Sequence, residues 1–77
     1  MIGVISVNTI DNYKLVLKFN NNKEKVFDMR PYLSYGIFNE LKNKNLFDTV
    51  KISFDSIEWA NGADLCPEVL YNESVEL

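Results

Sequence analysis

Cys66 is the residue of this chain best placed for covalent chemistry. It precedes Pro67-Glu68, which reads as a helix entry: proline suits the first helical position, and an acid there meets the positive end of the helix dipole. A thiol at a helix N-terminus has a lowered pKa and gains reactivity. The competing role is structural, with Cys66 standing in for a better capping residue such as Ser and packing as a small hydrophobe. Reactive thiols normally have a basic neighbour, and the sequence beside Cys66 offers none, so the structural role is preferred. Asp55, Glu58, Asp64 and Glu68 form a local acidic cluster, with Asp64 and Glu68 about one helical turn apart. Paired carboxylates can exchange protons or hold a hard cation. Two exposed acids give a divalent ion too few oxygens, so Asp64 is read as tightening a turn and Glu68 as favouring the helix start. Lys14, Lys18, Lys23 and Lys25, with Arg30 behind them, make a candidate phosphate-facing patch beside Tyr13 and Phe27. A solvated strand face that discourages edge-to-edge pairing explains the same lysines.

What is missing narrows the chemistry further. With no histidine, neither a Ser-His-Asp nor a Cys-His nucleophile is available. One cysteine leaves only carboxylates for the remaining positions of a zinc site. Gly3, Gly36 and Gly62 build no phosphate-binding loop. We therefore expect no catalytic residue, no cofactor and no metal. The formal net charge of −3 argues against a general grip on nucleic acid. A lone cysteine gives no internal disulfide, and neither a cleavable leader nor an apolar run of membrane-spanning length is present. A soluble, cytoplasmic protein is expected.

The elements that would position these residues follow from periodicity. Seventy-seven residues make one small domain, which buries only about 60% of the surface its unfolded chain exposes. Residues 2–10 are β-branched and read as a strand. Tyr13, Leu15, Leu17 and Phe19 alternate with Lys14, Val16 and Lys18, the pattern of a half-buried antiparallel strand. The asparagine loop 20–23 turns the chain into a third strand over 24–29, anchored by Val26 and Phe27. After Arg30-Pro31, the spacing of Tyr32, Leu33, Ile37, Phe38 and Leu41 predicts a short amphipathic helix with a junction at Gly36. Asn43-Lys44-Asn45 ends it, and Leu46-Phe47 anchor the following segment. Val50, Ile52 and Phe54 alternate as a fourth strand, and Asp55-Ser56 turn into a fifth, Ile57-Glu58-Trp59. Asn61-Gly62 is a turn, and a last helix spans roughly 67–72, leaving residues 73–77 as an acidic tail. The order βββαββα predicts an α+β fold: one largely antiparallel five-stranded sheet with short helices on one face. The predicted core is Leu15, Leu17, Phe19, Phe38, Leu41, Phe47, Trp59 and Leu70.

Several segments resemble the small prokaryotic domain-of-unknown-function family 2442. They are Tyr13-Lys14-Leu15 through Phe19, Phe27-Asp28-Met29-Arg30-Pro31-Tyr32-Leu33, Phe38 to Lys42, and Leu46-Phe47. The most specific runs from Ile57-Glu58-Trp59-Ala60-Asn61-Gly62 to Glu68, followed by Leu70-Tyr71. The chain departs from the family pattern at Asn21-Asn22-Lys23 and at Cys66, where Ser or Ala is common. The resemblance implies an α+β domain without established enzymatic activity. It also implies a neighbouring gene for a second small protein, in pairs that look like toxin–antitoxin modules. Some relatives carry an added helix-turn-helix DNA-binding domain, which this sequence does not include.

Ten aromatic residues in so short a chain suggest more rings than one core hides, hence a docking surface for a protein partner or a second copy. The expected function is a non-catalytic protein–protein interaction module, antitoxin-like, with Tyr13, Tyr32, Tyr35, Tyr71, Asp64 and Glu68 on the partner-facing side. The alternative is a nucleoprotein accessory role through Lys14, Lys18, Lys23 and Lys25. A hydrolase built on Asp64 and Glu68 lacks the neighbours it needs.

Overall fold

The computed structural model describes residues 1–77. Strands β1 (Val4–Ile10), β2 (Lys14–Phe19) and β3 (Glu24–Asp28) form an antiparallel meander. Strict alternation drives Leu15, Leu17 and Phe19 of β2 inward and leaves Lys14, Val16 and Lys18 on the outer face. In β3 the same period turns Lys25 and Phe27 inward, so Val26, read from the sequence as an anchor, lies on the outer face. Two short 3-10 helices follow, Arg30–Tyr32 and Gly36–Lys42, joined at Gly36 with φ +51°. Helix α1 (Lys44–Phe47) is capped by Asn43, whose side chain accepts from the Asn45 and Leu46 N–H groups. A hairpin of β4 (Lys51–Ser53) and β5 (Ser56–Glu58) then pairs onward to β6 (Asp64–Leu65). Helix α2 (Pro67–Glu73) leads into β7 (Val75–Glu76).

The architecture is α+β, but the predicted single five-stranded sheet is replaced by two antiparallel sheets. One has the order β1-β2-β3-β7 and the other β4-β5-β6. Strands β6 and β7 are two residues long, too short to carry a period-two signal, so periodicity did not find them. The segment predicted as an acidic tail is partly sheet: Val75 and Glu76 pair with Val26 and Lys25, and the Lys23 ammonium meets the Glu76 carboxylate at 3.1 Å. The single α-helix expected after Pro31 is instead two 3-10 pieces, interrupted between Tyr32 and Gly36, where the chain passes through the positive φ of Gly36.

Both sheets contribute to one core. Leu15, Leu17, Phe19, Phe27, Leu41, Phe47, Trp59 and Leu70 are fully buried, and Phe38 is half-buried at the margin. The Trp59 indole N–H donates to the Phe47 carbonyl at 2.9 Å, which removes the cost of burying that donor. Its position is fixed by the turn that follows. The Trp59 N–H bonds to the Ala63 carbonyl, the Gly62 N–H bonds back to Trp59, and Gly62 has φ +90°. A chain of rings runs from Phe27 through Tyr32, Phe38, Trp59 and Phe47 to Tyr13, with neighbouring centroids 5.2–6.5 Å apart. Most of the aromatic surplus is thus consumed inside the molecule, and only Tyr35 and Phe54 are exposed rings.

Candidate functional site

The exposed rings direct attention to the second sheet. Ser53 and Ser56 are paired, so the loop between β4 and β5 is the two-residue Phe54-Asp55. Both residues have positive φ, +48° and +66°, the requirement of a type I′ turn that Asn-Gly normally meets. A bulky side chain in that region costs about 1–2 kcal/mol. Phe54 is nevertheless 99% exposed. From the sequence it belonged to the alternating fourth strand. The structure places it at the tip and moves the turn one residue earlier than Asp55-Ser56.

Beside Phe54 lies an open groove of about 370 Å³, lined by Ser53, Phe54, Ser56, Ile57, Glu58, Asp64, Leu65 and Cys66. Glu58 stands opposite Asp64 on β6 and opposite Lys51 on β4. No carboxylate here has a basic partner within ion-pair distance, since the chain's ion pairs are Lys23–Glu76 and Arg30–Asp28. The Ser56 hydroxyl donates to the Leu65 carbonyl and tightens β5 against β6. Cys66 is the N-cap of α2, but its side chain makes no capping bond and is exposed. The expected packing as a small hydrophobe is therefore not formed, because Cys66, between β6 and α2, lines the open groove.

The lining brings together a ring, two hydroxyls, a thiol and two carboxylates, with no basic side chain among them. Asp64 on β6 and Glu68 in the first turn of α2 are both exposed. No three thiol or carboxylate groups converge as a metal ion would require. Such a surface is suited to contact: an apolar projection beside negative charge.

The tyrosines of the predicted partner surface are scattered. The Tyr13 hydroxyl donates to the Lys42 carbonyl and its ring packs on Phe47. The Tyr32 hydroxyl donates to the Glu73 carboxylate, which pushes the phenol up to about 12. The Tyr71 ring stands edge-on to Phe19, and its hydroxyl accepts from the Asn21 side chain at 3.0 Å. Tyr35, 69% exposed, precedes the second 3-10 helix. Three of the four tyrosines thus bind their own chain.

The lysines do not gather into a patch either. Lys14 lies opposite Asp28 and Lys18 opposite Glu24 across the β2–β3 ladder. Lys23 is held above its ordinary pKa by its hydrogen bond to Glu76, and Asp28 below its own by Arg30. Lys25 is buried: its ammonium donates to the Tyr71 carbonyl at 2.6 Å and sits 4.0 Å from the Tyr71 ring centre.

Phe54 is the functional candidate that sequence reasoning passed over. The sequence carries no turn signal for it, since Phe54-Asp55 lacks the Asn-Gly composition of a type I′ loop, and only the Ser53–Ser56 pairing reveals the tip. Fold and surface together define a small α+β domain whose second sheet offers an aromatic tip and an acidic groove. The chain belongs to the family described as Protein of unknown function (DUF2442), whose model matches residues 4–76. No curated protein and no solved structure matches it. No helix is long and apolar enough to cross a membrane.

Proposed function

We propose that this chain is a non-catalytic protein–protein interaction module that docks its partner on the three-stranded sheet, with Phe54 as the anchor. The observation that carries this reading is the Phe54 ring, held in a left-handed turn and 99% exposed. Binding energy at interfaces concentrates in aromatic anchors, and charge around them selects the partner. Glu58 and Asp64 beside the ring favour a partner with an apolar pocket and a basic rim. Without histidine, and with the Ser56 hydroxyl engaged, the groove has no evident activated nucleophile. A small toxin-like protein encoded nearby is the first partner to test, which would make this chain the antitoxin-like member of a cytoplasmic pair.

The test is affinity capture from native cells with the parent chain and with Phe54→Asn, both shown to be folded by circular dichroism. A stoichiometric partner held by the parent and lost by the variant is the expected result. Equal capture by both, no partner with either, or substrate turnover by the purified chain would overturn the reading.

A further inference from the structure

We propose that Tyr71–Leu77 is a strap that opens away from β3 while the rest of the fold stays closed, and that the buried Lys25 ammonium is its catch. Leu70 is the last fully buried apolar residue of the chain. Of the strap's side chains only the half-buried Tyr71 ring packs on the core, and Val75 and Leu77 are 67% and 73% exposed. Polar contacts hold the segment instead. The Tyr32 hydroxyl donates to the Glu73 carboxylate, the Lys23 ammonium meets Glu76, and the Leu77 N–H donates to the Glu24 carbonyl at 3.2 Å. Segments with few buried apolar contacts and exposed backbone hydrogen bonds lie at the low end of local stability. Strand β7, two residues paired to Val26 and Lys25, is such a segment. Opening it gives up little packing and bares the edge of β3 that it covers.

Lys25 ties this segment to the interior. It points inward from β3, opposite Leu17, and is 8% exposed. A buried ammonium needs a partner, and its partner is on the strap. It donates to the Tyr71 carbonyl at 2.6 Å and lies 4.0 Å from the centre of the Tyr71 ring. That carbonyl belongs to the last turn of α2, where the peptide dipoles favour a cation, and α2 has no basic residue of its own there. The Ser74 hydroxyl donates to the same carbonyl, at the turn from α2 into β7. A bond from a charged donor is about twice as strong as a neutral one, so this contact dominates the polar hold. Opening gives the ammonium water in place of the carbonyl, so it is never left buried and unpaired.

Native-state hydrogen exchange at a series of low urea concentrations reads the opening, on the parent, Lys25→Met and Tyr13→Asn. In the parent, the Val75 and Leu77 amides should exchange with a shallow dependence on urea and the β2 amides with a steep one, because a local opening exposes less surface than unfolding. Lys25→Met keeps an apolar stem and deletes the ammonium, and should speed exchange at Val75 and Leu77 at least about tenfold. The Tyr13 side chain meets Phe47, Lys42 and Lys44 rather than the strap, so Tyr13→Asn should speed β2 exchange and leave Val75 and Leu77 unchanged. Four results would each overturn the proposal: a single urea slope for strap and β2, strap amides without protection in the parent, a Lys25→Met with unaltered strap exchange, or a Tyr13→Asn that speeds both regions alike. Should either variant fail to fold, the parent decides: two slopes support the strap, and one shared slope overturns it.

Discussion

Two hairpin turns in this molecule hold an aromatic residue in the left-handed region, and they treat it in opposite ways. Between β1 and β2, Asn12 and Tyr13 have φ +66° and +59°; between β4 and β5, Phe54 and Asp55 have +48° and +66°. Tyr13 has interior reasons for its conformation. Its ring meets Phe47 edge-on at 5.2 Å, its hydroxyl donates to the Lys42 carbonyl, and the Lys44 ammonium lies 5.6 Å from the ring centre. Those contacts tie the first turn to the helical segment and offset the backbone strain. Phe54 carries comparable strain with its ring 99% exposed. The comparison teaches that strain alone marks nothing; strain without an interior return points outside the chain.

The largest effect should come from removing the base on which Tyr13 rests. Trp59 is buried, hydrogen-bonded to the Phe47 carbonyl, and stacked near the Phe47 ring that supports Tyr13. Trp59→Ala should cost about 3–5 kcal/mol, enough to unfold a domain with thin stability at room temperature, as followed by urea denaturation. A mild effect would mean that the Tyr13 turn stands on its own. Tyr13→Asn comes next. Asparagine keeps the left-handed turn easy but deletes the ring and its hydrogen bond, so a loss of about 2–3 kcal/mol is expected. If Tyr13→Asn proved neutral, the first turn would resemble the second and the contrast would dissolve.

How much of this was legible depended on the length of each signal. The meander was readable because β2 alternates over six residues and its burial follows that pattern. The inward-facing Lys25 was not, since a lysine opposite Leu17 shows no sign in sequence of the distant Tyr71 carbonyl that receives it. Strands β6 and β7 hide because two residues have no period, and their pairing is decided by tertiary contact. Treating Tyr13, Tyr32 and Tyr71 as surplus rings failed for the same reason: their hydroxyls find partners at Lys42, Glu73 and Asn21, each far along the chain. The missed hairpin tip was a matter of parity by a single residue, and a one-residue slip exchanges the two faces of a strand.

The smallest effect is the most discriminating, because its sign reverses. Phe54→Asn places at the hairpin tip a residue that accepts positive φ readily, and it removes a ring that rests on nothing. Such a change should stabilise the fold by about 1 kcal/mol, the scale of the strain relieved, raising the urea midpoint without altering the slope. The same substitution is expected to abolish partner capture. Stability gained together with binding lost is what a residue kept for contact outside the chain must show. If Phe54→Asn instead lowered the urea midpoint as Tyr13→Asn does, the ring would have a role inside the fold and the reason for assigning it to a partner would be gone.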